Sequence, residues 1–187
     1  MHFTLCDLVT DITQNACEAG ADTVRLEIRE NNREFRFQVT DNGKGMDEQE
    51  RRRALDPFVT DGVKHPNRKV GLGLPFLIQT AEQSGGGWEL RSEKGKGTTA
   101  LAWFDMGNVD TPPVGDVAGM FRTVLMFEGQ QEIIISRFLE KEGRTPVEYE
   151  VRKSELADVL GGLEDTGALV LLDQYLRSQE EEDDDDE

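Results

Sequence analysis

Long apolar runs and an excess of basic residues are both missing from this chain of 187 residues. No stretch approaches the ~20 consecutive apolar residues that a membrane-spanning helix needs. The first residues, MHFTLCDLVTD, lack a basic segment followed by an apolar one, so the sequence shows no secretory signal. The net charge is −17, which argues against sequence-independent nucleic-acid binding because such binding depends on Lys and Arg. We therefore expect a cytoplasmic protein with neither a membrane nor a nucleic acid as its partner.

Cysteine is scarce as well. Cys6 and Cys17 lie eleven residues apart in one predicted helix. That spacing corresponds to about 16 Å along the helix axis, which is beyond the reach of a disulfide. The sequence around them offers no further ligands or redox partners, so we expect two reduced thiols buried in the core.

The first hundred residues alternate between helical and strand patterns. Three helices are predicted, each from helical periodicity or charge patterning together with signals at its ends. They lie in TLCDLVTDITQNACEAGA, DEQERRRAL and LPFLIQTAEQS. Capping boxes of Thr4 with Asp7 and of Asp47 with Glu50 mark the starts of the first two. Alternating apolar residues predict two hairpins, TVRLEIRE with EFRFQV and WELRSE with TALAWF. This order predicts an α+β fold, with helices on one face of a mostly antiparallel sheet.

The remainder of the chain is predicted to form a smaller unit. Residues 107–116 contain paired prolines and glycines and are interpreted as a linker after a first domain of residues 1–106. In residues 117–178 we expect three strands, in MFRTVLMFE, EIIISRFLE and VEYEVRK, followed by helices in SELADVLGGL and TGALVLLDQYL. A unit of this size is marginal as an independent core, so its strands would extend the first sheet, form a dimer contact or bind a partner. Residues 179–187 are interpreted as a disordered acidic tail.

Two polar residues of the first helix are candidates for phosphate chemistry. Asp11 and Asn15 are four residues apart and therefore share a face. The Asn carbonyl oxygen can ligate Mg²⁺, which prefers oxygen, and the carboxylate can orient or deprotonate an attacking water or hydroxyl. The alternative is a pair of solvent-facing polar residues.

Three glycine-containing stretches complete the set of candidates. DNGKGM follows a predicted strand, GLGL directly precedes a predicted helix, and GKGTT enters another strand. Glycines before a helix allow phosphates to approach the unpaired N–H groups at its start. Each stretch taken alone is also compatible with an ordinary turn or loop.

Together and in this order, these stretches resemble the GHKL (Bergerat-fold) ATP-binding family, which includes gyrase, Hsp90, histidine kinases and MutL. DITQNACEAGAD is similar to the family's N box and closest to MutL-type sequences. DNGKGM, GLGL and GKGTT resemble the G1, G2 and G3 boxes, and DPFVT is similar to a stretch of histidine kinases. The resemblance covers about residues 4 to 105 and implies the two-layer Bergerat sandwich, with ATP and Mg²⁺ as ligands.

The resemblance also implies roles for individual residues. Asp11 would be the catalytic base, Asn15 the Mg²⁺ ligand, and Asp41 the acceptor of a hydrogen bond from the adenine amino group. Thr98 would reach a water near adenine. The other residues implied in nucleotide binding are Gly43, Gly45 and Met46 around the purine, Gly71, Leu72, Gly73 and Leu74 at the phosphates, and Lys64, Arg68 and Lys69 in a lid over residues 56–72. Plain surface charge is the alternative for the three basic residues.

The sequence departs from the family pattern in two respects. The family's general base is usually Glu, whereas Asp11 is one methylene shorter, which favours binding over turnover. A histidine kinase also carries a phosphorylatable His on a helix before this domain. Here His2 precedes the N box too closely and His65 falls in the lid, so we do not expect autophosphorylation in cis.

The leading hypothesis is a stand-alone, histidine-kinase-like module in signal transduction. It would bind Mg-ATP and either hydrolyse it or transfer the γ-phosphate to a protein partner, with a homodimer as a further possibility. A non-catalytic switch of the anti-sigma type is the alternative, in which the lid and residues 117–178 grip a partner. A DNA-transaction ATPase of the MutL or topoisomerase type is opposed by the net charge and by the absence of a transducer domain.

Overall fold

Six helices and six strands make up the described part of the chain. The structure is a computed structural model that describes residues 3–58 and 73–181. In chain order the elements are α1 (Leu5–Glu18), β1 (Thr23–Asn31), β2 (Glu34–Asp41), α2 (Glu48–Leu55), α3 (Gly73–Gln83), β3 (Gly87–Glu93), β4 (Gly97–Asp105), α4 (Val117–Leu125), β5 (Glu132–Glu140), β6 (Val147–Arg152), α5 (Lys153–Leu160) and α6 (Thr166–Glu180).

The strands form one six-stranded sheet in the order β3-β4-β2-β1-β5-β6. Four of the five neighbouring pairs are antiparallel, and only β1 with β5 is parallel. Both predicted hairpins are present, since β1 pairs with β2 and β3 pairs with β4. The predicted α+β fold with a mixed, mostly antiparallel sheet is confirmed.

The core lies between one face of this sheet and the helices. Every second residue of the central strands is buried, as the strand period requires. Helices α1, α3, α4 and α6 form a contiguous layer, because α1 contacts both α3 and α4, and α4 contacts α6. The opposite face of the sheet carries Arg–Glu ion pairs between residues two apart on one strand: Arg29–Glu27, Arg36–Glu34, Arg91–Glu89 and Arg152–Glu150.

The predicted capping boxes and reduced thiols agree with the structure, although the predicted burial holds fully for Cys6 alone. Thr4 with Asp7 and Asp47 with Glu50 form reciprocal capping boxes at α1 and α2. Cys6 is buried, Cys17 is half-buried, and both are free thiols.

The predicted strand in MFRTVLMFE is wrong, because helix α4 occupies Val117–Leu125. Its apolar residues Val117, Phe121, Val124 and Leu125 follow the helical spacing of three and four and are all buried. Asp116 caps the helix by accepting a hydrogen bond from the N–H of Gly119. The pattern begins three residues before the stretch that was interpreted as a strand.

The two strands that were predicted correctly in the C-terminal region extend the main sheet. β5 pairs along its whole length with β1, and β6 pairs with β5. The segment interpreted as a linker also contacts the first helix, since the N–H groups of Leu5 and Cys6 donate to the carbonyls of Pro113 and Val114. Of the three alternatives for this region, sheet extension is therefore the one observed.

The start of the acidic tail also differs from the expectation. Helix α6 continues through Gln179 to Glu180, two residues into the range 179–187. Glu180 is held there because its carboxylate pairs with the buried Arg137. Residues 182–187 lie outside the described residues.

Candidate functional site

Helix α1 presents Asp11 and Asn15 on its exposed face. The opposite face is buried by Leu5, Leu8 and Ile12, which anchor the helix against the sheet. The helix geometry therefore sets the two polar side chains one turn apart and accessible to a ligand.

Asp41 is the last residue of β2 and is 7% exposed. Its Oδ1 accepts a hydrogen bond of 2.8 Å from the N–H of Gly43. Burial raises the pKa of Asp41 above its ordinary value, while hydrogen bonds from the backbone N–H groups of Gly43 and Thr98 partly offset that effect. Burial disfavours the ionised form of this carboxyl group because it removes water from it. A charged or polar ligand bound to the carboxylate would compensate for that lost water.

The glycines after Asp41 allow close backbone contacts. A Cβ at Gly43 would lie 2.6 Å from the carbonyl oxygen of Ala19, at the end of α1. Gly45 has φ +60°, and a Cβ there would lie 1.9 Å from the carbonyl oxygen of Glu93. The G1 loop is therefore packed directly between α1 and the β3–β4 hairpin, and glycine is required at both positions.

Gly73 brings the start of α3 to the exposed face of α1. A Cβ on Gly73 would lie 3.4 Å from Nδ2 of Asn15 and 4.0 Å from Cβ of Asp11. The next residue, Leu74, is half-buried and packs against the core. The absence of a side chain at Gly73 thus leaves a cradle between a helix start, a carboxamide and a carboxylate.

Thr98 lies opposite Asp41 in the pairing of β2 with β4. Its hydroxyl is 2.8 Å from the Oγ of Ser92. The same Ser92 oxygen accepts a 2.8 Å hydrogen bond from the N–H of Met46. Ser92 therefore ties the G1 loop to the G3 turn, a role that sequence reasoning missed because Ser92 lies three residues before the glycines of GKGTT.

Five of the candidate residues lie outside the described residues. They are Lys64, Arg68, Lys69, Gly71 and Leu72. The remaining candidates occupy α1, the end of β2 and the loop after it, the start of α3 and the start of β4. Contacts join these segments in sequence: Gly73 reaches Asn15, Gly43 reaches the end of α1, and Thr98 pairs with Asp41.

Comparison with known families accounts for this arrangement. Residues 3–108 match the family model of the histidine kinase-, DNA gyrase B- and HSP90-like ATPases, which spans more than half of the chain. The chain belongs to this family. It therefore contains a GHKL ATP-binding domain similar to that of histidine kinases, and the matched range includes every candidate residue.

Individual relatives match parts of this chain. DNA mismatch repair protein MutL of Porphyromonas gingivalis is 41% identical over 56 residues, which are 30% of this chain and 9% of that protein. Nitrogen regulation protein NtrY of Azorhizobium caulinodans is 31% identical over 106 residues, which are 51% of this chain and 13% of that protein. The chain thus spans only a small fraction of these relatives.

A solved structure also matches. The histidine kinase domain of the E. coli osmosensor EnvZ shares 26% identity and gives a TM-score of 0.37, covering 53% of this chain and 62% of that one.

The GHKL site fits a magnesium–phosphate group in its donor set. Asn15 offers a carboxamide oxygen, and Gly73 places the start of a helix beside Asn15 and Asp11. Among residues 3–58 and 73–181, no cluster of three or more His, Cys, Asp or Glu side chains could hold a metal ion by itself.

The described part of the chain also has no helix long and apolar enough to cross a bilayer.

Proposed function

We propose that this GHKL domain binds Mg-ATP and either hydrolyses it or transfers its γ-phosphate to a protein partner. The observation that carries the proposal is the approach of Gly73 to Asn15 and Asp11. It sets the N-terminus of α3 against a helix face that offers both a carboxamide and a carboxylate. Membership of the family indicates that the nucleotide is ATP. The position of Gly73 beside Asn15 and Asp11 supports the proposed orientation of that nucleotide in the site.

The adenine end of the nucleotide is assigned to Asp41. Its carboxylate is buried and lies at the end of a strand, where it can accept a hydrogen bond from an exocyclic amino group. Thr98 faces it across the sheet and offers a hydroxyl for a bridging water. Gly43 and Gly45 hold the connecting loop against α1 and the hairpin, with Met46 following them.

The phosphate end is assigned to Asn15, Gly73 and Leu74. Backbone N–H groups at the start of α3 would donate to phosphate oxygens, with the helix dipole adding favourable charge. Asn15 would hold Mg²⁺ through its side-chain oxygen, together with phosphate oxygens and waters. Magnesium, when bound, would neutralise phosphate charge during transfer.

Asp11 is assigned as the general base. It lies one turn before Asn15 on the same exposed face, where it can orient or deprotonate a water or an acceptor hydroxyl. For this role, the attacking water or acceptor hydroxyl must lie within hydrogen-bond reach of the Asp11 carboxylate, whose side chain is shorter than that of Glu.

Titration with a fluorescent ATP analogue in the presence of Mg²⁺ tests the assignment of Asn15. We expect Asn15→Ala to weaken binding by about tenfold or more, as loss of a contact to a charged group does. Gln14→Ala is the matched control, because Gln14 is the exposed neighbour and pairs only with Glu18 in the described hydrogen bonds. Equal affinity of Asn15→Ala and Gln14→Ala would refute the proposed metal site.

A second candidate is an ATP-gated switch that binds a protein partner without turnover. The observation in its favour is Asp11, whose side chain is shorter than the Glu usual in this family. Phosphate release and ³²P transfer, measured with and without candidate partners, separate the two functions. Turnover that disappears in Asp11→Asn supports catalysis, whereas nucleotide binding without turnover under all conditions supports the switch.

A further inference from the structure

A cavity of about 360 Å³ lies away from the proposed nucleotide site. Its walls come from the ends of β1 and β5, the start of α4 and the end of α6. The residues that line it include Glu30, Asp116, Arg137, Lys141, Arg144 and Glu180. Asp41 pairs with Val24, at the other end of β1 from Glu30. Six residues of strand separate Val24 from Glu30, which corresponds to about 20 Å.

Arg137 is the most deeply buried side chain in this cavity, with 1% of its surface exposed. Its Nη2 donates to Glu30 at 2.7 Å, and its Nε donates to Glu180 at 3.0 Å. Its Nη1 is buried, and among the described residues it has no hydrogen-bond partner. Such an unsatisfied donor is costly, and a bound anion is one explanation for its retention.

The start of α4 adds a second feature that favours an anion. Val117 and Ala118 line the cavity and lie in the first turn of this nine-residue helix. First-turn N–H groups have no acceptor within their own helix, and the helix dipole gives this end partial positive charge. Lys141 and Arg144 contribute further cationic groups to the same wall.

The cavity also contains carboxylates, and ion pairs engage most of them. Glu30 pairs with both Arg137 and Lys141. Burial alone would raise the pKa of Glu30, but hydrogen bonds from Lys141 and Arg137 outweigh it and leave the pKa below its ordinary value. Glu180 accepts from Arg137 and from the hydroxyl of Tyr149 at 2.6 Å. In all, four carboxylates (Glu30, Asp116, Glu180 and Glu181) and four cationic side chains (Arg137, Lys141, Arg144 and Arg177) line the cavity, so its charges balance and do not exclude a single further anion.

We propose that this cavity is a second ligand site, which binds a small metabolite through one phosphate or carboxylate group. The oxyanion would accept hydrogen bonds from Arg137 and from the first-turn N–H groups of α4. Lys141 and Arg144 at the mouth of the cavity would add charge. A phosphate and a carboxylate share this chemistry, so the experiment treats them separately.

The test is an NMR titration of ¹⁵N-labelled full-length protein with inorganic phosphate and, separately, with malonate, with chloride holding the ionic strength constant. The protein carries Asn15→Ala, which is expected to weaken phosphate binding at the proposed nucleotide site. We expect saturable shifts of the Val117 and Ala118 amides and of the Arg137 Nε–H. Shifts with phosphate alone, with malonate alone or with both support the site and assign its ligand class.

Two variants at the cavity mouth complete the design. Lys141→Ala and Arg144→Ala should each raise the dissociation constant by roughly threefold to fivefold, as expected for partly exposed charges. Arg152→Ala is the control, because Arg152 is partly exposed on neighbouring β6 and pairs with Glu150 outside the cavity. Absence of saturable shifts at Val117 and Ala118 up to about 20 mM of either anion would overturn the proposal. Identical dissociation constants in the Asn15→Ala protein with and without each cavity substitution would overturn it as well.

Discussion

Asp41→Asn should separate nucleotide binding from stability. The substitution keeps the shape of the side chain and an oxygen that can accept the Gly43 N–H, which is 2.8 Å from Oδ1 of Asp41. It replaces a charged acceptor by a neutral amide at the proposed adenine contact. A hydrogen bond to a charged group contributes about 1.5–3 kcal/mol, so ATP affinity should fall by roughly 10- to 150-fold.

The stability of the nucleotide-free protein should change little or increase. Because burial raises the pKa of Asp41 above 3.8, the folded state binds its proton more tightly than the unfolded state does. The free energy of unfolding therefore falls as the pH rises from below 3.8 through the raised pKa, and the full penalty applies at neutral pH. Asparagine removes this penalty but weakens one backbone contact, so we expect any loss of stability at pH 7 to stay below about 1 kcal/mol.

A matched control is available at the end of β4. Asp105 also ends a strand, and its Oδ1 also accepts a 2.8 Å hydrogen bond from the N–H two residues later, that of Gly107. Asp105→Asn should leave ATP affinity unchanged. Both variants are measured by titration with a fluorescent ATP analogue and by urea denaturation from pH 3 to pH 8. The reasoning is refuted if Asp41→Asn retains wild-type affinity, or if the two variants lose affinity equally.

Three further perturbations test other contacts. Gly73→Ala places a Cβ 3.4 Å from Nδ2 of Asn15. The variant should keep or improve thermal stability but reduce ATP affinity by about tenfold. Unchanged affinity in a titration would contradict the proposed cradle. Ser92→Ala removes the acceptor of a G1-loop amide and should cost about 1–2 kcal/mol in urea denaturation; a neutral result would mean that this link is not structural. Glu30→Gln leaves Arg137 with one carboxylate fewer and should cost about 3 kcal/mol at pH 7. Since the pKa of Glu30 is lowered, that difference should shrink as the pH falls below 4.5, and a difference independent of pH would refute the ion pair.

The elements of the first hundred residues were predictable because their patterns are local. The apolar alternation of β1 and β2 and the capping box at Thr4 each occupy a few consecutive residues, and backbone geometry translates them directly into structure. Helix α4 was missed because its stretch is rich in β-branched and aromatic residues, which favour strands when only part of the pattern is considered. The helical spacing becomes clear only when Val117 and the cap at Asp116 are included.

The pairing of distant segments could not be predicted from periodicity. Nothing in the pattern of β5 specifies that it lies beside β1, and Arg137 does not differ in sequence from the surface arginines. Its burial follows from the meeting of β1, β5 and α6, which brings Glu30 and Glu180 to its two sides. Likewise, the proximity of Gly73 to Asn15 depends on the packing of α3 against α1. Motif order suggested that these residues share a site, but only the fold determines their contacts.

The parallel partner of β1 is synthesised more than a hundred residues after β1 itself. Until β5 has been synthesised, one edge of β1 in the nascent ATP-binding region is therefore unpaired. The N–H and C=O groups along that edge can then pair with another chain. A protein cut after residue 108, where the family match ends, would retain this exposed edge permanently. We therefore expect the excised domain to aggregate more readily than the whole chain, because in the whole chain β5 pairs with the edge of β1.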